Sequence, residues 1–287
     1  MRIDKALRWA YKYLKPAKLH SPELDAEVLL AHVLDKDRAF LFTHRDQTIA
    51  KQKFSRYKKL VQRRRAHEPI AYIIGIKYFY RLPFFVTKKV LIPRPESEML
   101  VNLGLKYLKE NKKKNITVID VGTGSGAIVI SLAKNYKDAK FIGSDNYAGV
   151  LNIARKNAQI NRTKVDFVKS DLLQKFSKDF WKKNLHVLLI ANLPYLPTRV
   201  WQNSMPDVKK YEPREALDGG KDGLYFYNKL IYDLEDILPH LKSFQAFWEI
   251  NPTQDDKLKK LLKKINAEEI GTLDDLCGRT RIIGWKK

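Results

Sequence analysis

The chain has 287 residues, 44% of them hydrophobic, with 55 Lys and Arg against 32 Asp and Glu and a net charge of +23. A chain of that length buries one large core or two modest ones. Its single cysteine, Cys277, excludes an intramolecular disulfide framework and a Cys-rich zinc site. The N-terminal stretch MRIDKALRWAYKYLKPAKL mixes charged and apolar residues, unlike a signal peptide, and no apolar run is long enough to span a bilayer. A cytoplasmic monomer without membrane contact is expected. The positive charge admits transient proximity to the ribosome or RNA. It is spread along the whole chain, however, and Arg63-Arg64-Arg65 and Lys112-Lys113-Lys114 read equally as phosphate contacts or solvated helix faces.

From Arg2 to about Glu68 the pattern is helical. Ser21-Pro22-Glu23-Leu24-Asp25 offers an N-cap, a proline at the first helical position and early acids, followed by apolar Val28, Leu29 and Val33. This predicts a small all-α bundle over residues 1–75. Aromatic and β-branched residues then dominate, from Tyr78-Phe79-Tyr80 through Phe84-Phe85-Val86 to Val90-Leu91-Ile92, interrupted by Leu82-Pro83 and Thr87-Lys88-Lys89. They predict a β-hairpin linker over residues 76–95. Beyond Pro95 an amphipathic helix precedes alternating β and α segments, the signature of a parallel sheet covered by helices. Strands are expected at residues 117–121, 140–144, 165–169, 186–191 and 246–250, with a last pair near the C-terminus. Residues 96–287 are thus expected to form a Rossmann-like α/β domain with a seven-stranded sheet.

The strand Thr117-Val118-Ile119-Asp120-Val121 runs directly into Gly122-Thr123-Gly124-Ser125-Gly126-Ala127 and then an apolar helix. A glycine loop there lets backbone approach a ligand, with free helix N-terminal amides facing it. Asp145 ends the next strand about twenty residues on, where a carboxylate can accept from both hydroxyls of a ribose. Asp171, with Leu172 beside it, ends the third, where an acid can accept from an adenine amine while Leu172 covers the ring. Two acids on successive strand ends suit one nucleoside lying across the sheet edge, which favours S-adenosylmethionine over NAD.

The fourth strand ends in Asn192-Leu193-Pro194-Tyr195, at the crevice where open α/β sheets hold ligands. A planar NH2 group is a poor nucleophile, because its lone pair is delocalised. The side-chain oxygen of Asn192 can accept one of its N–H groups and the Leu193 carbonyl the other. Pro194 restricts Leu193 to extended conformations, and Tyr195 can stack on the flat acceptor. The tetrapeptide by itself does not choose between a glutamine amide and the N6 of adenine in RNA or DNA. The six histidines have no metal-ligand spacing, so no metal is expected.

With these residues in hand, the chain resembles the HemK/PrmC family of release factor glutamine N5-methyltransferases. The resemblance is carried by Ser21-Pro22-Glu23-Leu24-Asp25-Ala26-Glu27, Glu68-Pro69-Ile70-Ala71-Tyr72-Ile73-Ile74-Gly75, Leu91-Ile92-Pro93-Arg94-Pro95-Glu96-Ser97-Glu98 and the stretch from Tyr211 to Leu224. It implies a helical substrate-recognition domain and S-adenosylmethionine contacts at Gly122, Thr123, Gly124, Ser125, Gly126, Asp145, Asp171, Leu172 and Asn192. It also implies that residues 192–195 receive the glutamine of the Gly-Gly-Gln loop of peptide chain release factors, giving N5-methylglutamine. Three positions depart from the family pattern: Leu193 where Pro is usual, Ser97 where Thr is usual, and Asn251 in place of Gly.

Overall fold

A computed structural model describes residues 1–112 and 114–287. Lys113, within the basic run 112–114, lies outside the described residues. Contacts divide the chain into two units, Met1–Ile76 with Met205–Tyr211, and Lys77–Ser204 with Glu212–Lys287.

The first unit is helical: Ile3–Leu14, Pro22–Leu34, Arg38–Thr43, Lys51–Arg65, Ile70–Ile74 and, from the later segment, Pro206–Tyr211. Ile3, Ala6, Ala10 and Leu14 recur at three- and four-residue steps and are the buried stripe of the first helix. They pack with Leu29, Leu30, Leu41, Tyr57 and Val61. Pro22 opens its helix as expected, but Ser21 makes no side-chain cap. Its hydroxyl lies 2.9 Å from His20 Nδ1 instead. Pro206–Tyr211 is fastened by Arg64, which reaches Asp207 at 2.7 Å and Asp25 at 2.6 Å, and by the Tyr211 hydroxyl, which donates to the Ala66 carbonyl at 2.8 Å.

Strands β1 (Ile76–Phe79) and β2 (Leu82–Phe85) form a two-stranded ribbon. It turns at Tyr80 and Arg81, both with positive φ, the conformation whose twist suits a two-residue hairpin. Within the linker expected over residues 76–95, the strands occupy 76–79 and 82–85, and residues 90–92 contain no strand. The described residues include no helix long and apolar enough to cross a membrane.

Seven further strands build one sheet: β3 (Ile116–Val121), β4 (Lys140–Asp145), β5 (Asp166–Lys169), β6 (His186–Ala191), β7 (Ser243–Glu249), β8 (Glu268–Asp274) and β9 (Thr280–Lys286). Their order is β5-β4-β3-β6-β7-β9-β8. The pairs from β5 to β7 are parallel, and β9 is antiparallel to both β7 and β8. Alternation along β3 and β6 feeds two cores. Ile119, Val121, Val187, Leu189 and Ala191 enter one, while Ile116, Val118, Leu188 and Ile190 enter the other. Both faces are covered, so the central strands read as unbroken apolar runs. The strand order reverses at β3 and β6, so their carboxyl ends open a crevice.

Candidate functional site

At the end of β3, Gly122, Gly124 and Gly126 adopt φ of +71°, +55° and +80°, values that favour residues without a Cβ. Space adds a second constraint. A Cβ on Gly122 would stand 2.8 Å from Leu193 Cδ2, and one on Gly126 would stand 2.7 Å from Ile130 Cδ1. The loop is tied to the next strand, with Thr123 N donating to the Ser144 carbonyl at 2.8 Å and Gly124 N donating to Asp145 Oδ2 at 3.1 Å. From behind, Asn157 donates to the Ser125 carbonyl at 2.8 Å and also pairs with the backbone of Phe85, linking loop and ribbon.

Asp145 accepts a backbone N–H on each oxygen, from Gly124 and from Tyr147. An ionised carboxylate oxygen has a second lone pair, so both retain capacity toward the cavity. Asp120, read from the sequence only as part of a buried strand, is 1% exposed. Its Oδ2 accepts from Thr123 Oγ1 at 2.7 Å while Oδ1 has no partner. Burial pushes this carboxyl up to about 7, against hydrogen bonds from Thr123 and the Val129 backbone. The available signal was an acid inside a strand apolar on both faces.

Asp171 is ion-paired through Oδ2 with Lys229 of the helix Tyr225–Ile237, a partner the sequence did not reveal. The pairing raises the Lys229 ammonium above its ordinary range. Leu172 beside it is buried with φ +49°, a left-handed conformation costly for a branched residue.

The tetrapeptide is held by its backbone. Gln254 Nε2 donates to the Tyr195 carbonyl at 2.9 Å, and Leu196 exchanges hydrogen bonds with Leu217 and Gly219. A Cβ on Gly219 would lie 2.4 Å from the Pro194 carbonyl oxygen, and one on Gly223 would lie 2.2 Å from that of Tyr195. Asn251 closes a capping box with Gln254, whose Oε1 accepts the Asn251 N–H at 3.0 Å. The bond to Gln254 Oε1 comes from the backbone N–H of residue 251, which any residue but proline supplies, whereas the Asn251 side chain accepts from Thr253. The Leu193 side chain is buried against Gly122. Asn192 Nδ2 donates to Ser97 Oγ at 2.9 Å. Neither Asn192 Oδ1 nor the Leu193 carbonyl accepts a hydrogen bond from any described residue.

A cavity of about 640 Å³ joins these parts, lined by Gly122, Thr123, Gly124, Ser125, Asp145, Asp171, Leu172, Asn192, Leu193 and Pro194, together with Arg94 and Ser97. Two expected residues are not on its wall. Gly126 is packed against Ile130 inside the loop. Tyr195, expected to stack on the acceptor, is instead turned into the core, where its hydroxyl donates to Glu249 Oε1 at 3.0 Å. Arg94 is anchored by Glu212 at 2.5 Å, and Glu212 also accepts the Ile92 N–H. That pair joins the two segments, 91–98 and 211–224, that the sequence had singled out separately.

Residues 5–75 match the family model described as PrmC N-terminal domain, and residues 112–267 match the one described as methyltransferase domain. A release factor glutamine methyltransferase of Clostridium botulinum is 36% identical over 96% of both chains. That of Bacillus cereus is 33% identical over 99% of this chain and 98% of the relative. The fold is shared with the hMettl16 catalytic domain, at a TM-score of 0.56 and 15% identity over 90% of this chain and 91% of that one. Full-length identity at this level, with both regions matched in order, shows that the chain belongs to the release factor glutamine methyltransferase family.

Proposed function

We propose that this chain transfers a methyl group from S-adenosylmethionine to the side-chain nitrogen of the glutamine in the Gly-Gly-Gln loop of peptide chain release factors. The observation that carries the reading is a single cavity lined by the glycine loop and by Asn192 and Leu193, whose side-chain oxygen and carbonyl, respectively, accept from no described residue. A planar NH2 group has two in-plane N–H donors, and two fixed acceptors hold that plane so one face of the nitrogen meets the incoming carbon.

The residues fit the cofactor. The Cβ-free loop lets backbone approach a ligand, and Asp145 has lone pairs open to ribose hydroxyls. Asp171 retains Oδ1 for an adenine amine while Lys229 holds Oδ2. Behind the loop, buried Asp120 accepts from the Thr123 hydroxyl and holds that residue in place. When bound, S-adenosylmethionine supplies a methyl group activated by its sulfonium. Asn192 and Leu193 orient the acceptor, and Gly219, Gly223 and Gln254 hold the backbone that carries them. Holding two reactants correctly is worth roughly 7 to 11 kcal/mol, and methylation acidifies the nitrogen, so its proton leaves without a strong base.

The helical unit is assigned to recognition of the release factor, and a substrate that serves translation places the reaction in the cytoplasm. Leu193, in place of the family's usual proline, and the net charge of +23 stand on the side of a different acceptor, the N6 of adenine in RNA or DNA. Labelled methyl transfer measured in parallel on a release factor and on adenine-containing oligonucleotides separates the two. Label in the release factor alone is expected, and label in the oligonucleotides alone overturns the reading.

A further inference from the structure

Asn192 is the outer end of a hydrogen-bonded chain that runs into the core. Its Nδ2 donates to Ser97 Oγ at 2.9 Å, Ser97 Oγ donates to Glu249 Oε2 at 2.6 Å, and the Tyr195 hydroxyl donates to Glu249 Oε1 at 3.0 Å. Ser97 lies in the turn Pro95–Ser97 and Glu249 ends β7, and both are almost fully buried. Burial raises the Glu249 carboxyl above its ordinary range, while the two hydroxyl donors and the nearby Arg281 charge pull it back.

The direction of the chain follows from proton counting. Both Glu249 oxygens accept, one from Ser97 and one from Tyr195, and a serine hydroxyl has one proton to give. Once that proton is committed to Glu249, Ser97 Oγ can only accept from Asn192. The Asn192 amide must therefore turn its NH2 to Ser97, which leaves Oδ1 for the cavity. Donors arranged head to tail polarise one another, so Oδ1 also becomes a better acceptor.

We propose that Glu249, acting through Ser97, is a positioning residue that fixes which way the Asn192 amide faces and so restricts the site to acceptors that donate N–H. The inference rests on the methyl-transfer reading above. A glutamine at 249 would keep the shape and reverse the presentation. It would accept from Tyr195 with its oxygen and donate to Ser97 with its NH2. The Ser97 proton would then turn to Asn192, and the Asn192 NH2 would face the NH2 of the acceptor, donor against donor.

The test uses the full chain with Glu249→Gln, Ser97→Ala and Ser97→Thr. Cofactor affinity by calorimetry should stay within about threefold of native in all three, because none touches the glycine loop. The kcat for glutamine methylation should fall about a hundredfold in Glu249→Gln and Ser97→Ala, and stay within about threefold in Ser97→Thr, which keeps the hydroxyl. A second readout is independent of turnover. The side-chain NH2 resonances of nitrogen-labelled Asn192 should show one slowly exchanging proton in the native protein and in Ser97→Thr, lost in Ser97→Ala. Native turnover in Glu249→Gln or Ser97→Ala overturns the proposal. So does Ser97→Thr behaving like Ser97→Ala, or a parallel loss of cofactor affinity, which marks a merely structural role. If the native protein leaves glutamine unmodified yet the Asn192 resonances respond as described, the methyl-transfer reading fails and the amide positioning stands.

Discussion

At the residue scale, the site works by leaving chosen atoms without protein partners. Asn192 and Leu193 line the cavity, and neither Asn192 Oδ1 nor the Leu193 carbonyl accepts a hydrogen bond from a described residue. Asn192→Ala should lower kcat by at least about a hundredfold, as removing one preorganised hydrogen-bonding group does elsewhere, with cofactor affinity changed little in calorimetric titration. Asp145→Ala should have the opposite signature. Losing charged acceptors worth about 1.5–3 kcal/mol each should weaken cofactor binding by roughly ten- to a hundredfold. Asp120 gives a pH prediction. Its carboxyl rises to about 7 in the folded protein, so between the ordinary carboxylate range and that value the folded state binds more protons than the unfolded one. Stability therefore falls as pH rises through this window. Urea denaturation of the native protein and of Asp120→Asn should diverge progressively in favour of the variant as pH rises, and parallel curves would contradict the assignment.

At the scale of elements, the glycines at 219 and 223 matter as much as those of the cofactor loop. Gly223→Ala combines a φ of +76° with a Cβ 2.2 Å from the Tyr195 carbonyl oxygen. It should cost more than about 2 kcal/mol in chemical denaturation, since such substitutions are unfavourable on both counts. Asn251→Ala should cost about 1 kcal/mol in chemical denaturation through the lost cap, while Gln254→Ala, which removes the donor to the Tyr195 carbonyl, should lower kcat. Much of this framework was legible in sequence. The apolar runs of β3 and β6, the glycine spacing and the acids at 145 and 171 located the crevice, because local periodicity and turn chemistry dictate them. The rest depended on distant partners. Nothing local in Glu249 announces that Ser97 and Tyr195 will meet it, nor in Lys229 that it will hold Asp171. Tyr195 was misread for the same reason: a tyrosine beside a ligand motif looks like a stacking platform until a buried carboxylate claims its hydroxyl.

At the scale of the whole molecule, the helical unit recruits a segment from far along the chain. Pro206–Tyr211 is bound through Arg64, which is 6% exposed and shared between Asp25 and Asp207. Arg64→Leu leaves both acids without that partner and should cost about 3–5 kcal/mol. Limited proteolysis should then cut near 205–211 before any other site, and an unchanged cleavage pattern would show that the segment is held otherwise. The most direct test of the proposed methyl transfer is a tandem mass spectrum of a peptide chain release factor after incubation with this protein and S-adenosylmethionine. One added methyl group on the glutamine of its Gly-Gly-Gln loop is the predicted result. An unmodified glutamine, in a reaction where cofactor binding has been demonstrated, would contradict it.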